Sequence, residues 1–185
     1  MLLSLMLTAG LMSGLQAPAG DGEAIRLRRL RSVDASIRET IYEGCRRSET
    51  FAALVEDLER SSFIVYVEQV PTLRDGMRGA LLHGGAGPHY LRVLLKRGMS
   101  LVGRVVVLAH ELQHAKEFVE AGIAVDAVEM DALFRRIGGA RSPPGGQRQR
   151  YETAAALRVT DTVAADLRAR RGAGPGVGDC RAGNP

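Results

Sequence analysis

The residues best suited to chemistry are two histidines and a glutamate in the pattern HExxH, at His110, Glu111 and His114. On an α-helix, residues four positions apart lie one above the other, so both imidazoles can be directed at one metal ion. Glu111 lies about 100° around the same helix, close enough to act on a water molecule beside that ion. The pattern predicts two neutral nitrogen ligands and a carboxylate base next to an open coordination position, which is the arrangement that zinc-dependent hydrolysis requires.

The surrounding sequence predicts that this pattern lies in a buried helix over residues 100–121. Ser100 can cap its N-terminus, and Gly122 is suited to the left-handed turn that ends a helix. Residues 105–109 and Leu112 are apolar, and charged or imidazole side chains are rare in such a helix unless they are paired or bind a metal. The alternative is that the histidines and the glutamate form the solvated face of an ordinary helix.

At this pattern the sequence resembles the zincin metallopeptidases. The order of predicted elements is also similar, because three strands, at residues 63–67, 77–83 and Tyr90–Lys96, precede the HExxH helix. The resemblance implies an α+β, zincin-like fold, in which a small mixed sheet of about three or four strands packs on the active-site helix and a helical C-terminal part follows. It also implies that the last strand before the helix, Tyr90–Lys96, lies at the edge of the sheet and pairs with an extended substrate.

Four further helices are predicted from the spacing of apolar residues and from the residues that can cap them. A loop is predicted at residues 138–146, which contain two adjacent prolines. The helices cover residues 33–45 after Ser32, Glu49–Arg60 after Ser48, Ala127–Ile137 after Asp126, and about 150–171.

A catalytic zinc site needs a third protein ligand besides the two histidines. The metzincin pattern HExxHxxGxxH is excluded, because Glu117 stands in place of its glycine and Glu120 in place of its third histidine. In the gluzincin type, the third ligand is a glutamate on a separate helix some tens of residues downstream. The acidic candidates are Glu117, Glu120, Asp126, Glu129, Asp131, Glu152 and Asp161.

Glu152 is the favoured third ligand. The small residues 153–156 would let its helix approach the HExxH helix closely, and the apolar face that follows directs Glu152 inward, where a lone carboxylate needs a charge partner. Glu117 lies one turn beyond His114 on the same helix, which is a poor direction for a third ligand. The resemblance to a small gluzincin thus implies Zn²⁺ bound by His110, His114 and Glu152. Glu117, Glu129 and Asp161 remain alternatives for the third position.

Two supporting roles have no obvious residue. Gluzincins usually carry a second acidic residue four positions after the ligand glutamate, where this sequence has Ala156, so no carboxylate is found there to orient a histidine. Possible donors for an oxyanion are Tyr151, His89, Tyr90 and Arg158, but a structural role explains each of them as simply. His83 and His89 flank a glycine-rich loop, where both are expected to be exposed.

The resemblance implies a zinc metallopeptidase with a peptide or protein substrate. Glu111 would be the general base that takes a proton from the attacking water and passes it to the leaving amine. One alternative is a non-catalytic exported binding module in which zinc is only structural. Another is a hydrolase with a different substrate, because the pattern specifies the activation of water and not the bond that is cleaved.

Composition and chain ends predict one exported domain. The 185 residues carry a net charge of +4, with the arginines spread out and no basic patch interleaved with aromatic residues, so a nucleic-acid partner is not expected. Residues 1–19 are uncharged, with an apolar stretch and an A-x-A-like site at Ala17-Pro18-Ala19. They predict a cleaved signal peptide, hence a periplasmic or secreted protein, and no stable membrane span; the alternative is a buried N-terminal helix.

The remaining chain divides into a domain and a tail. Residues 20–171 are expected to form the metallopeptidase domain, and the Gly/Pro-rich residues 172–185 a disordered tail. The two cysteines, Cys45 and Cys180, suit either the single disulfide of an exported protein or two free thiols.

Overall fold

The computed structural model describes residues 25–85, 87, 89–122, 127–141, 150–170 and 180–182. The predicted signal peptide, most of the predicted tail and the capping residue Asp126 lie outside these residues. The described chain is α+β, as predicted, with a 3₁₀ turn at Arg74–Gly76. In chain order its elements are β1 (Ile25–Leu27), β2 (Leu30–Arg31), α1 (Ala35–Arg47), α2 (Glu49–Arg60), β3 (Ile64–Val70), β4 (Gly79–His83), β5 (Tyr90–Lys96), α3 (Leu101–Ala121), α4 (Ala127–Ile137), β6 (Gly139–Arg141), β7 (Arg150–Glu152), α5 (Ala154–Ala169) and β8 (Cys180–Ala182).

Four strands form a mixed sheet in the order β2-β3-β5-β4. Strand β3 is parallel to both β2 and β5, whereas β4 is antiparallel to β5. The prediction that Tyr90–Lys96 is the edge strand was wrong, because β5 lies between β3 and β4. Its Leu91, Val93 and Leu95 are fully buried, since this period-two apolar pattern packs into the core. The edge strand next to the HExxH helix is β4.

Helix α3 is buried because other elements surround it. It contacts α1, α2 and α5 as well as strands β4 and β5, and its Val105, Leu108, Leu112 and Phe118 are fully buried. Each such side chain contributes roughly 1.5–3 kcal/mol through its removal from water. The polar side chains on the buried face of α3, which include Glu111, His114 and Glu117, are therefore held in a largely dry environment.

The capping predictions for the HExxH helix are confirmed. Ser100 Oγ accepts a hydrogen bond from Gly103 N–H at 3.1 Å, and the helix ends at Gly122, whose φ of 63° is left-handed. Helix α2 follows its predicted cap, Ser48. Helix α1 begins two residues later than predicted, because the carboxylate of Asp34 accepts the N–H of Ser36 and caps the helix in place of Ser32.

Short strands and a disulfide bond complete the described chain. Cys45 and Cys180 are joined in a disulfide, so the two free thiols are excluded. Strand β8 pairs in parallel with β1, so Cys180–Ala182 is not disordered. Strands β6 and β7 form an antiparallel pair with Gly139 opposite Glu152, so β6 occupies part of the predicted loop. No helix among the described residues is both long and apolar enough to span a bilayer.

Candidate metal centre

Three potential ligand atoms converge beside α3. His110 and His114 lie one turn apart, with their Nε2 atoms 3.1 Å from each other. Glu152, from β7, places Oε2 at 3.3 Å from His110 Nε2. These atoms all lie within 4.8 Å of one another, so the three residues could hold one metal ion. The structure thus brings together the three residues that the sequence predicted as ligands.

Glu152 reaches the histidines from a different element than predicted. It is the last residue of a strand, and α5 begins only at Ala154. The helix cannot begin earlier because Thr153 is its N-cap, with Oγ1 accepting the N–H of Ala156 at 3.1 Å. The predicted helical position of Glu152 was wrong, because the residue ends a strand, and its role as a ligand remains a prediction. The strand end still supplies what a third ligand needs, which is an approach from outside the HExxH helix.

The protons on the two imidazoles can be assigned from their other hydrogen bonds. His110 Nδ1 lies 3.0 Å from Thr160 Oγ1, and that hydroxyl gives its own proton to the carbonyl of Ala156. His110 Nδ1 must therefore be the donor. His114 Nδ1 lies 2.9 Å from Glu117 Oε2 and donates to it. In a neutral ring the second nitrogen then keeps a lone pair, so both Nε2 atoms are acceptors that face each other.

The oxygen of Glu152 completes a group of acceptors without a donor. Glu152 Oε2 is shielded from solvent and has no hydrogen-bond partner among the residues that the structure describes. Its contact with His110 Nε2 is not a hydrogen bond, because that nitrogen carries no proton. Burial, together with the nearby His114, lowers the pKa of His110 and favours the neutral ring. Three converging lone pairs repel one another unless a cation lies between them, and a His₂Glu donor set suits zinc.

Glu117 contacts His114 on the side of the ring opposite Nε2. It is buried, and both of its oxygens accept hydrogen bonds: Oε2 from His114 Nδ1, and Oε1 from Thr153 Oγ1 at 2.5 Å. It is therefore not the third ligand, and the other two alternatives, Glu129 and Asp161, have exposed side chains. Sequence reasoning missed this role. The signal was present, because a carboxylate three residues after a histidine shares its helix face.

Glu111 lies between α3 and the edge strand. Burial raises the pKa of its carboxyl to about 7; the charge of Glu152 adds to this, whereas His114 and the N–H of Leu81 oppose it. A Cβ atom on Gly79 would lie 2.5 Å from Glu111 Oε1 and 2.6 Å from Val107 Cγ1. The absence of a side chain at Gly79 is therefore what lets β4 pack directly over Glu111.

The three acceptors and Glu111 open into a cleft of about 550 Å³. Its walls come from β4 and the residues before it, from α3, and from Phe134 and Thr160. The ring of Phe134 packs edge-on against His114, with ring centroids 5.0 Å apart. Its lining includes one arginine, Arg78, which no sequence pattern singled out.

The donors predicted for an oxyanion do not line this cleft. His89 packs edge-on against Phe63, and Tyr90 stacks on Tyr66. Arg158 is exposed on α5 and His83 lies at the end of β4, both outside the cleft lining. The side chain of Tyr151 lies outside the described part of the chain. No described residue from the predicted set is thus positioned for this role.

Comparison with known proteins gives no match: neither a family model, nor a curated protein, nor a solved structure is similar to this chain. The features that bear on function are the HExxH pattern and the geometry of the cleft.

Proposed function

We propose that this protein is a zinc-dependent hydrolase, namely a small metallopeptidase of the gluzincin type with a zincin-like fold. The observation that carries the proposal is the convergence of His110 Nε2, His114 Nε2 and Glu152 Oε2, which all lie within 4.8 Å of one another. Neutral histidines and a carboxylate in this arrangement are the ligand set of hydrolytic zinc sites. The buried carboxyl of Glu111 stands beside them at the wall of an open cleft.

In the proposed hydrolysis, Glu111 transfers protons, and Glu117 and Thr160 orient the histidines. When bound, zinc supplies Lewis acidity, which lowers the pKa of a water molecule and polarises the carbonyl to be attacked. Glu111 takes the proton of the attacking water and returns it to the nitrogen of the leaving amine. Glu117 and Thr160 hold the two imidazoles in the tautomer that presents Nε2 to the metal.

The edge strand favours a peptide as the substrate. Lys96 N–H donates to the carbonyl of Arg78, and Gly84 N–H to that of Tyr90. Even-numbered residues of β4 therefore bond to β5, and the backbone groups of the odd-numbered residues point away from it. Among the described residues, no strand pairs with that side of β4. An extended peptide could add there, with its backbone beside Glu111.

The observations favour this proposal over a structural zinc site. A closed site needs a fourth protein ligand, and in Glu117, the candidate for that position, both oxygens already accept hydrogen bonds, from His114 and Thr153. A site with three protein ligands that faces a cleft is the catalytic type. The Cys45–Cys180 disulfide supports the accompanying proposal that the protein is exported, because such bonds persist in oxidising compartments.

The test combines metal analysis with peptide cleavage. We expect the purified protein to contain zinc, and His110→Ala and Glu152→Ala to lose it, while Asp161→Asn, an exposed acid on α5, keeps it. Glu111→Gln should keep zinc and lose cleavage of casein or of a peptide library. An unchanged zinc content in Glu152→Ala would contradict the assignment of Glu152 as a ligand. Unchanged cleavage in Glu111→Gln would contradict the proposed hydrolase function with Glu111 as its base.

A further inference from the structure

Arg78 is a cation without a partner in the cleft wall. Its side chain is exposed, and it forms no ion pair or hydrogen bond with any residue that the structure describes. Some other arginines of the described chain are paired, for example Arg92 with Glu68 and Arg46 with Glu43. Its backbone is fixed, since its carbonyl accepts the N–H of Lys96 at 2.9 Å. The guanidinium is thus anchored at its base and available at its tip.

The tip lies over the first turn of α3. Arg78 Nη2 is 2.9 Å from the point where a Cβ atom of Gly103 would lie, so the guanidinium lies close to the helix at a residue that has no side chain. The first turn of α3 contains no acidic residue to neutralise it. The positive charge is therefore presented to whatever enters the cleft.

Arg78 and Glu111 lie along one helix face. Gly103, Val107 and Glu111 are four residues apart and share that face, and Gly79 covers its Val107 and Glu111 end. Eight residues of helix rise about 12 Å. An extended peptide covers that distance in about three or four residues.

We propose that Arg78 is a specificity-determining residue that binds a carboxylate of the substrate about three or four residues from the cleaved bond. The carboxylate is an acidic side chain or the C-terminus of the peptide, because both fit the two-pronged guanidinium equally well. This inference rests on the proposed peptidase function. It adds the substrate class: acidic peptides, or peptides that end at a fixed distance from the cleaved bond.

The test uses peptides that differ only in charge. In the first series, each pair of peptides carries Glu or Gln at one position, and the pairs together cover five positions on either side of the cleaved bond. A further pair ends in a free carboxylate or an amide. We expect wild type to prefer one carboxylate by about fivefold to tenfold in kcat/KM at low salt, and less at high salt. Arg78→Gln should lose the preference, and Arg78→Glu should prefer a Lys peptide. The matched control is Arg74→Gln, an exposed arginine outside the cleft lining.

Two results would overturn the assignment of Arg78: no charge preference in wild type at any position, or an equal preference in Arg78→Gln. Binding separates this failure from failure of the proposed function. Fluorescence anisotropy of the same labelled peptides on Glu111→Gln protein, with and without Arg78→Gln, measures the preference and its dependence on Arg78 without turnover. If wild type cleaves no peptide but binding shows the Arg78-dependent preference, the peptidase proposal fails and the carboxylate site stands. If binding shows none, the carboxylate site fails whatever the activity.

Discussion

Glu117 Oε2 lies 2.9 Å from His114 Nδ1, and the other oxygen of the same carboxylate accepts the hydroxyl proton of Thr153. Thr153 also caps α5 and directly follows Glu152. One buried carboxylate thus connects the helix that carries the histidines with the strand end that carries the third acidic residue. It fixes both the tautomer of His114 and the position of the chain next to Glu152.

Replacing Glu117 with glutamine should weaken zinc binding by about tenfold to a hundredfold, because the imidazole loses a charged acceptor that orients it and makes it more basic. Competition with a coloured chelator measures the affinity. The control is Glu120→Gln, because Glu120 is a glutamate on the same helix that is exposed to solvent and pairs with Lys116. Equal affinities in both variants would show that Glu117 does not orient the ligand.

Replacing Gly79 with alanine should disturb the edge strand and Glu111 together. The new methyl group would meet the Glu111 carboxyl and Val107 at distances well inside contact, so either β4 or these two side chains must shift, at a cost of about 1–3 kcal/mol. Denaturant unfolding measures this cost, and peptide cleavage should fall with it. Gly139→Ala is the matched control, because its nearest neighbour would be the Glu152 carbonyl oxygen at an ordinary 3.8 Å. Equal stability of the two variants would show that β4 does not pack closely on Glu111 and Val107.

The zinc-free protein should lose stability as pH rises from about 4.5 to about 7 through Glu111. Burial raises the pKa of Glu111 from 4.5 to about 7, so in that window the folded state holds a proton that the unfolded state has released. The free energy of unfolding therefore falls, by on the order of 2–3 kcal/mol, and levels off above the window.

Urea unfolding of wild type and Glu111→Gln in chelator measures this contribution as a difference between the two proteins. The lowered pKa of His110 acts in the opposite direction, since it removes stability as pH falls, but His110 is present in both proteins. The variant should gain on wild type as pH rises through the window. Parallel pH profiles for the two proteins would contradict a buried, proton-holding Glu111.

Removing the disulfide should destabilise the fold by about 2–4 kcal/mol, because the bond joins residues 135 positions apart and restricts the unfolded chain. The paired replacement of Cys45 and Cys180 by serine should match the reduced wild type in denaturant unfolding. Adding reductant should then change wild type but leave the double variant unaffected. If reductant does not lower the stability of wild type, the bond is absent or contributes nothing.

Local signals in the sequence were sufficient for the centre of the fold. The HExxH helix was predicted with both ends, because Ser100 and Gly122 are strong capping signals on either side of an apolar run. Glu152 was selected because an acid before a small-residue helix face needs a partner, and the structure places it beside both histidines. Its strand was not predicted, since the capping strength of Thr153 was overlooked and the apolar pattern of α5 was extended backwards past it.

Pairings between distant parts of the chain were not available from local patterns. Whether β4 or β5 lies at the edge depends on which strand joins β3, and both patterns permit either order. The disulfide depends on β8 lying beside β1. No local pattern predicts this pairing, because β8 is only three residues long and follows a Gly/Pro-rich segment. Arg78 acquires its place in the cleft only from the packing of β4 on α3.

The disulfide has one more consequence. His110, His114 and Glu152 all lie in the stretch of chain that Cys45 and Cys180 enclose. A nick in the backbone between α3 and β7 would put the histidines on one polypeptide and Glu152 on another, yet the two pieces would remain a single covalent molecule. A proteolytic clip at that point therefore need not separate the halves of the metal centre.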